Sequence, residues 1–271
     1  MEDMALKKLV WLSVLFSQFA WGIVNIESAR KDPVEDGWSG KLAVGFEGKK
    51  GNTDKDELEL GANLACKFGD YTLLSIVNFE RSEVSDTRNT DKWMLHERFV
   101  NTLSKQSAFE LFIQSEQDMS KRLNVRNLAG AGYRKLFADV IGTKNNLGIG
   151  GFYSVEEYDS IADNNGETIK KEETETAFRV NFYWNLSVPL TEQTTLKHTI
   201  YVQPTIEDAE DFRIKDELSL NVSITESVGL KVALAADYDS KPADDGLDEE
   251  FDYTPLKKFT TDYSTQLTYQ F

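Results

Sequence analysis

The chain of 271 residues holds one cysteine, Cys66, so no disulfide can close within it. Proteins of oxidising compartments pair their cysteines or avoid them, and this chain nearly avoids them. Histidine is as scarce, with only His96 and His198. Basic residues are in deficit: 30 Lys and Arg stand against 46 Asp and Glu, a net charge of −16. No basic stripe offsets that charge, which argues against a nucleic-acid partner. Beyond the N-terminus there is no apolar run long enough for a membrane helix, and no long amphipathic helical run. That absence does not exclude a membrane barrel, where only every second residue faces lipid.

The N-terminus reads as a secretory signal over residues 1–22. Lys7 and Lys8 supply the positive start, Leu9 through Phe19 the apolar stretch, and Ala20 and Gly22 the small residues before cleavage. The alternative is an uncleaved anchor, but the stretch is short for a span of roughly 20 residues and Gln18 interrupts it. Residues 23–36 form a polar periplasmic leader.

From Trp38 onward apolar and polar residues alternate, the period of a strand with one apolar and one polar face. The runs begin with Leu42, Val44 and Phe46. An internal one carries Phe178, Val180, Phe182, Trp184, Leu186 and Val188. The last runs to the final residue, with Tyr263, Leu267, Tyr269 and Phe271 on one face and Asp262, Ser264, Gln266, Thr268 and Gln270 on the other. The count is about twelve strands, most reaching the ~9–11 residues that cross a bilayer at a tilt. Short connections, such as Gly69-Asp70 and Thr191 to Gln193, alternate with longer and mostly acidic ones, such as Tyr158 to Lys171 and Asp239 to Lys258. An up-and-down transmembrane β-barrel has this asymmetry, with short periplasmic turns and long outer loops. A soluble sandwich shows the same strand alternation but has no reason to alternate its loops. The pattern therefore predicts an all-β, antiparallel up-and-down barrel over residues 37–271, in the outer membrane of a Gram-negative cell. Its partners would be lipid and lipopolysaccharide. A terminal strand closing on Tyr269 and Phe271 resembles the assembly signal of such barrels, read by the barrel-assembly machinery.

Several segments carry a family resemblance. Gly37-Trp38-Ser39-Gly40, followed by Gly51-Asn52-Thr53, is similar to the opening hairpin of the salt-induced outer membrane protein family. Gly130-Ala131-Gly132-Tyr133-Arg134, then Gly148-Ile149-Gly150-Gly151-Phe152-Tyr153 with Glu156-Glu157-Tyr158, is similar to its middle strands. Tyr269-Gln270-Phe271 is similar to its end. The resemblance implies an outer-membrane barrel and brings no catalytic residues with it.

Candidate chemistry is sparse. Barrel lipases set a serine two residues after a histidine. Here His96 is followed by Glu97-Arg98 and His198 by Thr199-Ile200. His198 shares the outward parity of Leu196 and Ile200. Alternation turns His96, Arg98, Glu110, Arg126, Arg134, Arg179 and Asp262 toward the lumen, along with Glu57, Glu59, Glu80, Glu116, Lys197, Lys215 and Glu217. Such a set either fills a small barrel with charge pairs or lines a selective pore. The acidic run from Asp239 through Asp252 lacks the spacing of a calcium loop and reads as a solvated outer loop. No metal, cofactor or catalytic residue is assigned. The expected role is a structural or envelope-stress barrel with a filled or narrow solute pore. The alternatives are a barrel enzyme acting on lipid or lipopolysaccharide, with His96 as its base, and a soluble periplasmic β-protein.

Overall fold

The computed structural model describes residues 36–49, 55–84, 87–140, 143–162, 166–244 and 256–271. The expected signal at 1–22, the leader up to residue 35 and the acidic segment 245–255 lie outside the described residues.

Successive side chains in a strand point to opposite faces, so an alternating chain must put one set of residues inside and the other outside. The strands that do so are β1 (Gly37–Lys49), β2 (Lys55–Phe68), β3 (Tyr71–Val84), β4 (Thr87–Ser104), β5 (Ser107–Asp118), β6 (Leu123–Val140) and β7 (Thr143–Tyr158). After a small hairpin, β8 (Ile161–Ala162) and β9 (Thr168–Lys170), come β10 (Glu173–Pro189), β11 (Thr194–Pro204), β12 (Phe212–Ser223), β13 (Val228–Asp239) and β14 (Phe259–Gln270). All but β8 and β9 form one closed barrel of twelve strands, in the order β1-β14-β13-β12-β11-β10-β7-β6-β5-β4-β3-β2. Every neighbouring pair is antiparallel. Closure leaves no sheet edge, and in hydrocarbon every backbone polar group must be bonded within the protein.

The faces are inverted relative to a soluble protein. On β14 Tyr263 is 56% exposed while its neighbour Asp262 is 7% exposed. Phe46, Ile113, Ile149, Leu234 and Leu267 lie on the outer wall, with Glu80, Arg98, Glu156 and Lys215 buried inside. Apolar outside and polar inside is the arrangement of a membrane barrel. No helix among the described residues is long and apolar enough to cross a membrane, which says nothing of crossing by strands.

The junction that closes the barrel is its shortest. β1 and β14 are in register from Lys41↔Gln270 to Val44↔Leu267. Reciprocal backbone bonds extend it by one residue, with Gly40 donating to Phe271 O at 3.0 Å and Phe271 donating to Gly40 O at 3.1 Å. Inside, Gln266 Nε2 reaches over β1 to Glu59 Oε2 on β2 at 2.9 Å.

Candidate functional site

The polar set inside the barrel is the candidate site, and the register of the strands decides which of its members meet. Toward the long-loop end, Glu156 at the end of β7 receives both Nη atoms of Arg213 on β12, at 2.9 and 3.0 Å. Between those strands stand β10 and β11, so the pair spans a chord of the lumen. Arg213 also donates from Nε to Asp239 on β13 at 3.0 Å. Tyr158 and Ser154 donate to the Glu156 carboxylate at 2.6 and 3.1 Å. Arg126 on β6 is bonded to Glu116 on β5 and stands 3.9 Å from Glu156. Two-pronged arginine–carboxylate bonds are geometrically demanding and charge-assisted, so this cluster has little freedom.

A wider crossing lies beside it. The β5–β6 connection contains a 3-10 turn, Met119–Lys121, capped by Asp118 accepting from Ser120 N at 3.0 Å. Its Lys121 Nζ stands 3.9 Å from Asp237 on β13, about halfway round the barrel. The outer connections are tied to one another as well. Arg179 on β10 grips Asp211 with two bonds of 3.0 Å. Lys170 on β9 donates to the carbonyl of Ala243 at 2.7 Å, and Lys241 to Asp208 at 2.5 Å. The bond from Lys241 holds the Asp208 carboxyl below its usual range, and the same bond holds the Lys241 ammonium above its own. Ile161 of the small hairpin is almost fully buried. A cleft of about 320 Å³ remains among Glu156, Glu175, Thr176, Ala177, Arg179 and Asp211.

A second chain of bonds runs along the β4–β6 wall. His96 Nδ1 pairs with Gln114 Oε1 at 2.9 Å. Arg98 Nε donates to His96 Nε2 at 3.4 Å. An arginine can only donate, so Nε2 accepts and Nδ1 carries the proton given to Gln114. Arg98 Nη1 bonds Glu110 at 2.7 Å, and Arg134 Nε stands 3.4 Å from the same carboxylate. Phe112 supports the row, with its ring 5.8 Å from that of His96 and 5.5 Å from the Arg98 guanidinium carbon. Phe152 meets Phe112 edge-on from β7. The Phe112 ring lies over Gly130, where a Cβ would stand 2.5 Å from its Cζ and 2.7 Å from Phe152 Cβ.

The candidates named by alternation therefore divide. His96, Arg98 and Glu110 form one bonded row, with Arg134 in ion-pair range of Glu110. Arg126 belongs to the Glu156 cluster and Arg179 to the outer connections. Asp262 lies on the far wall, within electrostatic reach of Glu80, which Lys92 approaches to 3.8 Å. Tyr269 and Phe271 are on the outer face. His198 is on the outer wall too, 2.6 Å from Asp216 and edge-on to Trp184. The residues passed over were Glu156, Arg213, Lys121 and Asp237. Parity marks Glu156 and Arg213 as inward, since they continue the phases of Ser154 and Lys215, but nothing local says that they meet.

A closed barrel with an apolar exterior and a bonded polar interior has relatives. The family described as "Protein of unknown function, DUF481" matches residues 42–271. The chain belongs to that family. The DUF481 description assigns no function, and salt induction is no part of it. No curated protein matches this DUF481 chain. Among solved structures it is similar to the translocator domain of the autotransporter NalP from Neisseria meningitidis, at 13% identity and a TM-score of 0.50, over 100% of this chain and 95% of that one. NanC porin is a looser likeness, at 9% identity and a TM-score of 0.44, over 86% of this chain and 98% of its own. KdgM porin follows at 10% and 0.43, over 86% and 99%. The likeness to NalP is one of fold, that of bacterial outer-membrane barrels.

Proposed function

We propose that this DUF481 protein is an outer-membrane barrel with a narrow, charge-lined solute passage held shut at its long-loop end. The observation that carries the reading is the pair of crossings, Arg213 to Glu156 and Lys121 to Asp237, which bring side chains from separated walls into contact. The shielding of the interior supports it. Lys215, His96 and Glu156 are each 2% exposed or less, which a side chain facing a wide water-filled channel would not be. In this reading the apolar wall meets lipid and lipopolysaccharide, and β14 with Tyr269 and Phe271 is the strand read by the assembly machinery.

The reading assigns no catalysis. His96 bonds Gln114 and Arg98, and His198 bonds Asp216, so neither of these bonds reaches a hydroxyl or thiol nucleophile.

Planar-bilayer conductance of the refolded protein tests the passage. The wild type is expected to be nearly silent. The double variant E156Q/R213Q, combined with K121Q, is expected to conduct, with folding checked by heat-modifiable mobility. A large steady conductance in the wild type overturns the latch. Silence of the folded variant overturns the passage and leaves a purely structural barrel.

A further inference from the structure

The outer wall holds an apolar trough. Strand register lays Tyr133 on β6, Ile149 on β7 and Phe182 on β10 side by side, and next to them Lys135, Leu147 and Trp184. Alternation turns all six outward. Leu147 and Ile149 of β7 thus lie between aromatic ridges, Tyr133 and Phe137 on one side and Phe182 and Trp184 on the other. A cleft of about 440 Å³ opens between the ridges. The Trp184 indole is held there, its Nε1 donating to Asn145 Oδ1 at 2.6 Å. On the lumen side the Tyr183 ring lies against Gly148, so the floor is backed from within. Lys135 brings a charge to this apolar place. Parity turns the described lysines and arginines of the barrel strands inward, apart from Lys135 and Arg81. Arg81 is paired with Glu83 at 2.7 Å, close to the long loops. Among the described residues Lys135 has no carboxylate in ion-pair range, and its ammonium stands 5.7 Å from the centre of the Phe137 ring. A cation on an apolar wall is destabilising unless it reaches the lipid headgroups or meets an anion. Lys135 faces Leu147, four residues into β7, which is about 13 Å along the strand from the short turn. Strand tilt and the long lysine stem bring the ammonium to the headgroups on that side.

We propose that this trough retains one glycerophospholipid from the leaflet on the short-turn side, with its phosphate bonded by Lys135 and an acyl chain laid on Leu147 and Ile149. Both halves of the lipid meet their complement. The ammonium–phosphate bond is charge-assisted, and a basic group beside an apolar groove is the chemistry of headgroup capture. Tyr133 and Trp184 belong at that depth, where amphipathic rings are favoured. A floor backed by Tyr183 is already formed, so little affinity is lost to ordering. The site rests on the membrane placement proposed above, and not on the passage or its latch.

The test uses the full chain refolded in an uncharged detergent, with native mass spectrometry counting the lipids retained. Phosphatidylglycerol and, separately, the diacylglycerol of the same acyl chains are the probes. The wild type is expected to retain one phosphatidylglycerol and to bind the diacylglycerol about ten-fold more weakly, the order of a lost charge-assisted hydrogen bond. K135Q is expected to cost a similar factor, and K135R to keep most of the binding. L147W, which fills the trough from the lipid side, is expected to weaken binding with Lys135 intact. Heat-modifiable mobility checks the fold of each variant. Retention indifferent to K135Q and L147W overturns the site and leaves ordinary boundary lipid. Preferential retention of lipopolysaccharide overturns the occupant, as does a dimer that L147W disrupts, which seats a second copy in the trough. Flotation with phosphatidylglycerol vesicles tests the placement separately. Insertion without lysine-dependent retention overturns the trough alone. Lysine-dependent retention in detergent without insertion upholds the trough and discards the membrane placement.

Discussion

The ring of Phe271 lies on Gly40. A Cβ at Gly40 would stand 2.5 Å from the ring Cζ, 2.9 Å from Cε1 and 3.0 Å from Leu64 Cδ2. The two backbones also bond each other in both directions. Glycine is needed here for room, since its φ is not among the positive ones. The contact sits on the shortest junction of the barrel, between β1 and β14. Gly40→Val is therefore expected to lift the ring and weaken closure by about 1–3 kcal/mol, the usual cost of forcing extra carbon into a packed site. Phe271→Ala should remove the same contact, and the double variant should cost less than the two singles summed, because the residues touch. The temperature at which the folded band converts to the unfolded one on a gel measures each. Full additivity in the cycle would mean that the contact contributes nothing to closure.

The interior makes an opposite kind of claim, about charge. Glu156 is buried between Arg213 and Arg126. Glu156→Gln leaves both guanidinium groups facing a neutral amide, and breaking one side of a buried ion pair costs about 3–5 kcal/mol. E156Q/R213Q removes both charges of the pair; Arg126 keeps Glu116, and Asp239, which loses its bond from Arg213, is partly exposed, so the double variant should still be the more stable of the two. Urea unfolding in detergent ranks them. The ordering E156Q above E156Q/R213Q would show that the pair does not carry its charge in the way described.

Most of the architecture was legible because a strand has a side-chain period of two. Leu42, Val44 and Phe46 announce β1, and the parity of Tyr263, Leu267 and Tyr269 gives both faces of β14. Strand ends were less legible. β4 starts at Thr87 and β10 at Glu173, well before the apolar runs beginning at Trp93 and Phe178, because polar residues continue the ladder beyond the apolar belt. The β8–β9 hairpin is too short to show any period. The site was legible as a set of inward residues and not as a set of partners. Arg213 and Glu156 lie 57 positions apart, and only the barrel order brings them together.

The middle glycines illustrate the same limit. Gly130 could be quoted as part of a motif, but its reason is the closeness of Phe112, Gly151 and Phe152 on the flanking strands. A Cβ there would stand 2.5 Å from Phe112 Cζ, 2.6 Å from the carbonyl of Gly151 and 2.7 Å from Phe152 Cβ. Two of these neighbours cannot swing away as a flexible side chain would. Gly130→Ala is expected to destabilise by about 2 kcal/mol and Gly130→Val by more, as overpacking that moves backbone does. The Phe112 ring also supports His96 and Arg98, so the phenyl near-ultraviolet signal should change along with stability. A neutral Gly130→Val would place these neighbours elsewhere.

On the outer wall, the bond between His198 and Asp216 stands among Leu186, Leu218 and Ile200, where the surroundings are hydrocarbon in the proposed membrane setting. A charged group on that face costs up to about 2–4 kcal/mol at mid-depth, and less for an acid. Replacing both partners by leucine removes the polar atoms together and leaves none unsatisfied, a change that is often neutral or stabilising. H198L/D216L is therefore expected to match or exceed the wild type in unfolding free energy in lipid vesicles, by up to about 2 kcal/mol. Asp216→Leu alone should be worse than the double, since it strands His198 on the apolar wall. A double variant that is clearly less stable in vesicles, yet unchanged in detergent, would contradict the placing of these residues against lipid and would instead mark the wall as one that meets another protein.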